Sequence, residues 1–404
     1  MEPGRPVVLT FLGHYLPSYK AGGPIRTIVN LVDQLGEEFA FHIVTADRDF
    51  GERSRLPGIV TNQWVARGLE KVFYRTDTIE GWIRFLRSIQ AVRPDVVYVN
   101  SYFSLSSSIV PVLLYRLGAF GRVNLIVAPR GEFSPGALAI KSRKKRLFLA
   151  LAAMLRLHRT VIFQASSHYE ANDIATTLHA RSIATALDVG PSIAPSSIAV
   201  APNLAPVASR RSGVRTRADA SLSVVFLSRI SPKKNLLGAF DILSRIRDLP
   251  ITFDIYGILE DPAYWARCEA AMAALPPNVQ VSYRGPLRPH EVEPTLARYD
   301  AFLFPTLGEN YGHVIREALS AGLPVLVSDR TPWRGLEAKG AGADLSLDDL
   351  DAFANRIRTW AALPDRSFRR MREAARALGD DPETARQALE ANRRMFLDAL
   401  HKVR

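Results

Sequence analysis

The sequence predicts an α/β protein built from two doubly wound domains. Three observations carry that expectation. Short apolar strands alternate with helix-length segments along the whole chain, the signature of mostly parallel sheets. The alternation runs twice, and the two series are separated by Leu204–Leu222, rich in Ala, Ser and Arg and without apolar periodicity. Finally, 404 residues with 47% hydrophobic and 23% charged content suffice to bury two cores of near-equal size.

The first series of strands is Val7–Leu12, Phe41–Ala46, Val72–Tyr74, Val96–Asn100, Leu125–Ala128, Val161–Ala165 and Ile198–Ala201. The second is Ser223–Leu227, Thr252–Tyr256, Gln280–Tyr283, Ala301–Phe304 and Pro324–Val327. Each run is short, rich in β-branched or aromatic residues and bounded by turn-forming residues. The chain closes in helical segments, Leu350–Leu363, Ser367–Leu378 and Pro382–Leu400. The expected boundary therefore divides residues 1–205 from 206–404.

Composition narrows the function classes. No apolar run approaches the length of a membrane span, and Met1–Pro6 lacks the apolar region of a signal peptide. A cytoplasmic chain is expected. The single cysteine, Cys268, excludes intramolecular disulfides and Cys-rich zinc sites. A net charge of +12 implies an anionic partner: nucleic acid, phosphorylated substrate or lipid headgroup.

In open α/β sheets, ligands sit at the carboxyl ends of strands, where helix N-termini direct their amides. Four loops at such places are unusually specified. The first is Lys20-Ala21-Gly22-Gly23-Pro24, between Val7–Leu12 and the helix Ile25–Leu35. Gly22 and Gly23 let backbone approach a bulky anion, and Pro24 suits the first helical turn. No dinucleotide fingerprint is present there. The second is Arg229-Ile230-Ser231-Pro232-Lys233-Lys234-Asn235. Cations at a helix N-terminus oppose the macrodipole unless an anion sits there, so Arg229 and Lys234 suit a phosphate.

The third, Phe304–Asp329, is FPTLGENYGHVIREALSAGLPVLVSD. It reads as strand, loop (Thr306–Gly312), helix (His313–Ala321) and strand, with Val314, Ala318, Leu319 and Ala321 on one helix face. Glu309 in the loop and Glu317 on the helix stand eight positions apart. On a helix that spacing spans about 12 Å. Two carboxylates flanking a scissile glycosidic bond stand roughly 5 to 9.5 Å apart. An acid/nucleophile pair is thus disfavoured, and opposite ends of an extended ligand fit better. Glu309 suits a sugar, Glu317 a ribose diol, and the Gly312 amide a phosphate.

The fourth, Pro129-Arg130-Gly131-Glu132-Phe133-Ser134-Pro135, leads into Lys141–Arg159, which carries seven Lys/Arg and no acid. Its charges crowd at the front, and Leu147–Leu157 is apolar nearly all round. This fits either a helix on an anionic membrane surface or a core helix with a basic end. No nucleic-acid partner is expected. The basic segments lack interleaved aromatics, and no helix-turn-helix, zinc-finger or RNP-like pattern occurs.

Taken together, FPTLGENYGHVIREALSAGLPVLVSD, FLSRISPKKN, KAGGP, VAPRGEFSPGALAIK and VAPN resemble the family-4 retaining glycosyltransferases of the GT-B fold, over nearly the whole chain. The resemblance implies two Rossmann-like domains facing across a cleft, with the last helix, 382–400, returning to the first domain. It implies that Arg229 and Lys234 hold the donor diphosphate, with Gly22 and Gly23 presenting amides near it. Glu317 would hold the ribose and Glu309 would contact the donor sugar. Asn310, Tyr311, Gly312 and His313 would line the sugar and phosphate pocket.

One departure stands out. Many members carry a His where this chain has Arg130, and a guanidinium that stays protonated cannot act as acid or base. Arg130 could instead stabilise the departing phosphate or fix the acceptor. The implied reaction is transfer of a sugar from a nucleoside-diphosphate sugar, with retention, to the hydroxyl of a saccharide or lipid-linked saccharide. It needs no cofactor, and cations would take the place of a metal. Membrane contact through 141–159 would make the chain peripheral at the inner face of the cytoplasmic membrane. The rival expectations are a GT-B nucleotide-sugar epimerase and a non-catalytic protein that binds anionic surfaces.

Overall fold

The computed structural model describes residues 4–139, 142–155, 157, 160–182, 197–206 and 221–401. Lys141, Arg156 and Arg159 of the basic segment, and residues 207–220 of the linker stretch, lie outside them. The chain divides into two compact units, Met1–Val207 with Glu383–Arg404, and Ala208–Pro382.

The first unit holds β1 (Val7–Phe11), β2 (Ala40–Ala46), β3 (Trp64–Arg67), β4 (Glu70–Arg75), β5 (Val96–Asn100), β6 (Asn124–Ala128), β7 (Val161–Ala165) and β8 (Ile198–Val200). Their order in the sheet is β3-β4-β2-β1-β5-β6-β7-β8. All pairs are parallel except β3–β4. Helices α1 (Gly23–Leu35), α2 (Ile79–Val92), α3 (Val110–Arg116), α4 (Pro135–Ala139), α5 (Ser142–Met154) and α6 (His168–Ser182) lie between the strands.

The apolar strand runs have a simple cause. Successive side chains point to opposite faces. Val8, Val96, Tyr98 and Ile126 enter one core cluster, while Leu9, Phe11, Val97, Val99, Leu125 and Val127 enter another. A sheet buried on both faces needs apolar residues at both parities.

The second unit holds β9 (Leu222–Leu227), β10 (Ile251–Tyr256), β11 (Val279–Gly285), β12 (Ala301–Phe304), β13 (Val325–Ser328) and β14 (Gly342–Leu345). They form an all-parallel sheet in the order β11-β10-β9-β12-β13-β14. Helices α7 (Leu236–Leu243), α8 (Pro262–Ala273), α9 (Val292–Leu296), α10 (His313–Ser320), α11 (Leu350–Ala361) and α12 (Asp365–Gly379) complete it. In chain order β9 leads to β10 and β11 on one side, and β12 to β13 and β14 on the other. The sheet therefore reverses direction between β9 and β12, where doubly wound folds place ligands.

Two strands escaped the sequence expectation, β3 and β14. Both are short edge strands of four residues, and each includes a charge or a glycine. Helix α10 buries Ile315, Ala318 and Leu319, with Val314 only half-buried, so Ile315 anchors the face assigned in the sequence to Val314. The last helix, α13 (Pro382–His401), packs Ala388, Met395, Phe396 and Ala399 into the core of the first unit. Phe396 meets Phe39, Phe41 and Tyr98 at centroid distances of 5.4, 6.0 and 5.4 Å.

Candidate functional site

At the β9/β12 reversal two loops are laced together. The basic loop after β9 forms a 3-10 turn, Pro232–Lys234, and Asn235 in a left-handed conformation opens α7 by accepting from the Gly238 amide. Asn235 Nδ2 donates to the Pro305 carbonyl at 2.8 Å. The Lys233 carbonyl accepts from the Leu307 amide at 2.9 Å and from Thr306 Oγ1 at 3.1 Å. These bonds fix the backbone on either side of Lys234 and Glu309.

The two side chains then meet: Lys234 Nζ lies 2.5 Å from Glu309 Oε1, both only 12–13% exposed. Lys234 also stands 5.7 Å from the centre of the Phe304 ring. Glu309 is held from behind by its amide, which donates to the Arg330 carbonyl at 3.0 Å. The pair is thus a shielded, positioned charge couple. Thr306, Arg330 and Phe304 belong to its frame, which sequence reasoning did not foresee.

Arg229 is held differently. Its Nη1 lies 2.9 Å from Glu260 Oε1, and it is 39% exposed. A bridge between Ile230 and Leu259 brings the loop after β10 alongside. The two cations expected to share one phosphate are therefore each matched with a separate carboxylate. Glu260 was missed, because nothing local in sequence marks its partner.

Beyond Glu309 the chain turns into α10. Gly312 takes a left-handed conformation (φ 76°) as the residue before the helix. A Cβ there would stand 2.9 Å from Ile315 Cδ1 and 3.2 Å from Trp333 Nε1, so glycine is required on both counts. Trp333 Nε1 donates to the Tyr311 carbonyl at 2.7 Å and braces the loop. Tyr311 lies 4.8 Å, centre to centre, from the His313 ring, and burial pushes its phenol up. Asn310 is a half-buried member of the same loop, and Glu317 is half-buried in the second turn of α10. The Ile315 and Arg316 amides donate to the Gly312 carbonyl at 2.9 and 3.1 Å, and the N-terminal end of such a helix favours an anion.

The first unit presents a cation of another kind. Arg130, after β6, has a left-handed backbone (φ 55°), which costs a non-glycine residue about 1–2 kcal/mol. The clamp around it is explicit. The Gly131 amide donates to Glu170 Oε1 at 2.6 Å. Glu132 accepts from Ser101 Oγ and the Tyr102 and Phe103 amides at 2.6–3.0 Å.

Among the described residues the Arg130 guanidinium donates only to neutral oxygens: Asn100 Oδ1 at 2.7 and 3.1 Å, Asn203 Oδ1 at 2.6 Å, and the Tyr98 hydroxyl. Tyr98 in turn donates to Gln164 Oε1, and Gln164 Nε2 donates to Asn392 Oδ1 of α13 at 3.2 Å. Burial pushes the Tyr98 phenol up, keeping it a neutral partner. Asn100 Nδ2 is buried without a hydrogen-bond partner among the described residues. Tyr98, Asn100, Gln164, Asn203 and Asn392 were not foreseen as a group. Asn203 lies in the quoted VAPN motif, the one signal that could have found it.

Gly22 and Gly23 open α1 at the carboxyl end of β1. Gly22 has φ 68° and ψ −122°, a conformation that side chains resist, and open space surrounds its missing Cβ. The preceding loop is fixed by Asp49, which accepts from Ser18 Oγ and from the amides of Tyr19 and Lys20. Burial brings the Arg26 guanidinium in the first turn of α1 down to about 10. Asp49 and Asp47 form an Asp-x-Asp triplet, and Asp349 and Asp351 form another. Asp47 pairs with Arg48 and Arg55, Asp349 caps α11, and Asp351 pairs with Arg245. Both triplets serve the frame.

Comparison with known proteins follows this division. Residues 214–378, most of the second unit, match the family model of glycosyl transferases group 1. No curated protein sequence matches the chain. Among solved structures, HepE of Anabaena in complex with UDP and glucose aligns with a TM-score of 0.64 at 15% identity, over 98% of this chain and 99% of that one. Sucrose-phosphate synthase of Thermosynechococcus elongatus aligns with a TM-score of 0.64 at 15% identity, over 98% and 100%. WaaG, a glycosyltransferase involved in lipopolysaccharide biosynthesis, aligns with a TM-score of 0.62 at 13% identity, over 95% and 97%. The fold is that of the GT-B glycosyltransferases, and the match of the second unit supports the glycosyltransferase class.

Proposed function

We propose that this chain transfers a sugar from a nucleoside-diphosphate donor to an acceptor hydroxyl, with retention at the anomeric carbon. The observation that carries the reading is the Lys234–Glu309 couple, fixed by two laced loops at the reversal of the second sheet. Lys234 would stabilise charge growing on the leaving diphosphate, together with the positive N-terminal end of the α10 dipole. Arg229, released from Glu260, would add a second cation. Such cations would serve where other enzymes use a metal.

Glu309 would face the donor sugar and Glu317 the ribose. Transfer would proceed without a covalent sugar–enzyme intermediate. The leaving phosphate oxygen would then take the acceptor proton. In the first unit, Arg130 would fix the acceptor with an undiminished charge, and the α1 end at Gly23 would face an anion, the Gly22 amide donating to the Tyr19 carbonyl at 3.1 Å. The acceptor class we favour is a saccharide, lipid-linked in polysaccharide or glycolipid assembly.

The first test is a thermal-shift panel of UDP, GDP, ADP and their sugars, since a ligand that binds the folded state raises apparent stability. One base should raise the melting temperature clearly above the others. A flat response across the panel would refute the donor site.

A further inference from the structure

Helix α5 has two apolar faces, and the fold uses one. Leu149 is buried in the core of the first unit, Ala152 is buried beside it, and Phe148 packs against Tyr102 and Phe103 at 5.6 and 5.9 Å. On the outward side, Leu147, Leu151, Met154 and the following Leu155 are 64, 43, 69 and 54% exposed. At 100° per residue these positions share one stripe. Arg143 and Lys144, both exposed, stand one turn before Leu147 on the same side. No acid lies in the first turn of α5, so its cations oppose the helix dipole. Lys145 is turned inward, donating to the Ala137 carbonyl at 2.7 Å and covering the Phe103 ring.

We propose that this outward face docks on an anionic phospholipid bilayer, with Arg143 and Lys144 at the headgroup phosphates and Leu147, Leu151 and Met154 entering the acyl boundary. The charge complementarity is specific. An apolar stripe alone would serve any protein partner. A stripe preceded by a cationic turn matches a phosphate layer above hydrocarbon. No helix among the described residues is long and apolar enough to cross a membrane, so attachment here is by the face of one helix. The inference is independent of the donor reading, and vesicle binding is measured without nucleotide.

The test is co-sedimentation of the full chain with vesicles of phosphatidylcholine alone and of phosphatidylcholine mixed with phosphatidylglycerol. The wild type is expected to partition onto the mixed vesicles and to be released by high salt. Arg143→Glu/Lys144→Glu should lower that partitioning by about tenfold or more, and Leu147→Ser/Leu151→Ser/Met154→Ser should do so as well. Because these side chains are exposed, both variants should keep the wild-type melting temperature and circular dichroism. Equal binding to both vesicle types, or full binding by either folded variant, would overturn the proposal. So would a wild-type dimer that the apolar variant breaks while vesicles bind nothing, since that would make a second copy the occupant.

Discussion

The two sheets follow one winding pattern, yet the cations at their strand ends are held in opposite ways. In the second unit Lys234 and Arg229 each face a carboxylate, Glu309 and Glu260. In the first unit Arg130 faces Tyr98, Asn100 and Asn203, all neutral. A cation paired with a carboxylate can exchange that partner for a phosphate, so its charge becomes available on binding. A cation caged by amide and phenol oxygens keeps its charge and cannot move without breaking four bonds. The first arrangement suits a ligand that arrives and leaves; the second suits a fixed electrostatic landmark.

That contrast can be broken by substitution. The largest effect is expected for Lys234→Ala. Removing a cation that stabilises the leaving group should lower turnover by roughly 10²–10³-fold, and it leaves Glu309 shielded without its partner. Single-turnover assays check this, and turnover within threefold of wild type would count against the assignment. Arg130→Ala should lower turnover by about 10–100-fold through mispositioning. If Arg130 acted only through the backbone it locks, Arg130→Lys would restore nothing and a loss of stability would accompany the loss of rate.

Smaller effects bear on the frame. Gly312→Ala should cost about 1–2 kcal/mol of stability from its left-handed backbone alone, with a further cost from contact with Ile315. Chemical denaturation measures it, and a neutral result would mean that the turn before α10 can relax. The smallest effect concerns pH. Burial holds the His42 ring below its ordinary value, so the unfolded chain takes up the proton more readily. Stability is then full above pH ~6.5 and declines as pH falls below it. His42→Gln should flatten that part of the melting-temperature profile, and parallel profiles would rule the mechanism out.

The sequence revealed more of the scaffold than of its wiring. Buried strands such as Val96–Asn100 and Val161–Ala165 were legible to the residue, because burial on both faces leaves a mostly apolar run. The strands β3 and β14 were not, since each spans only four residues and includes a charge or a glycine. At the site, residue types and strand-end positions were visible, but pairings were not. Glu309 lies 75 residues from Lys234, and Glu260 lies 31 from Arg229. No local pattern encodes either match. The sheet order that brings β9 beside β12 decides it.

The most direct measurement is a calorimetric titration with the nucleoside-diphosphate sugar selected by the thermal-shift panel. It would compare wild type, Lys234→Ala and Arg130→Ala. If the exchangeable couple is the donor site and the caged arginine is not, Lys234→Ala should lose about tenfold or more in affinity, roughly the worth of one charge-assisted hydrogen bond. Arg130→Ala should stay within about twofold of wild type. Undiminished donor affinity in Lys234→Ala, or a greater loss in Arg130→Ala, would contradict the account.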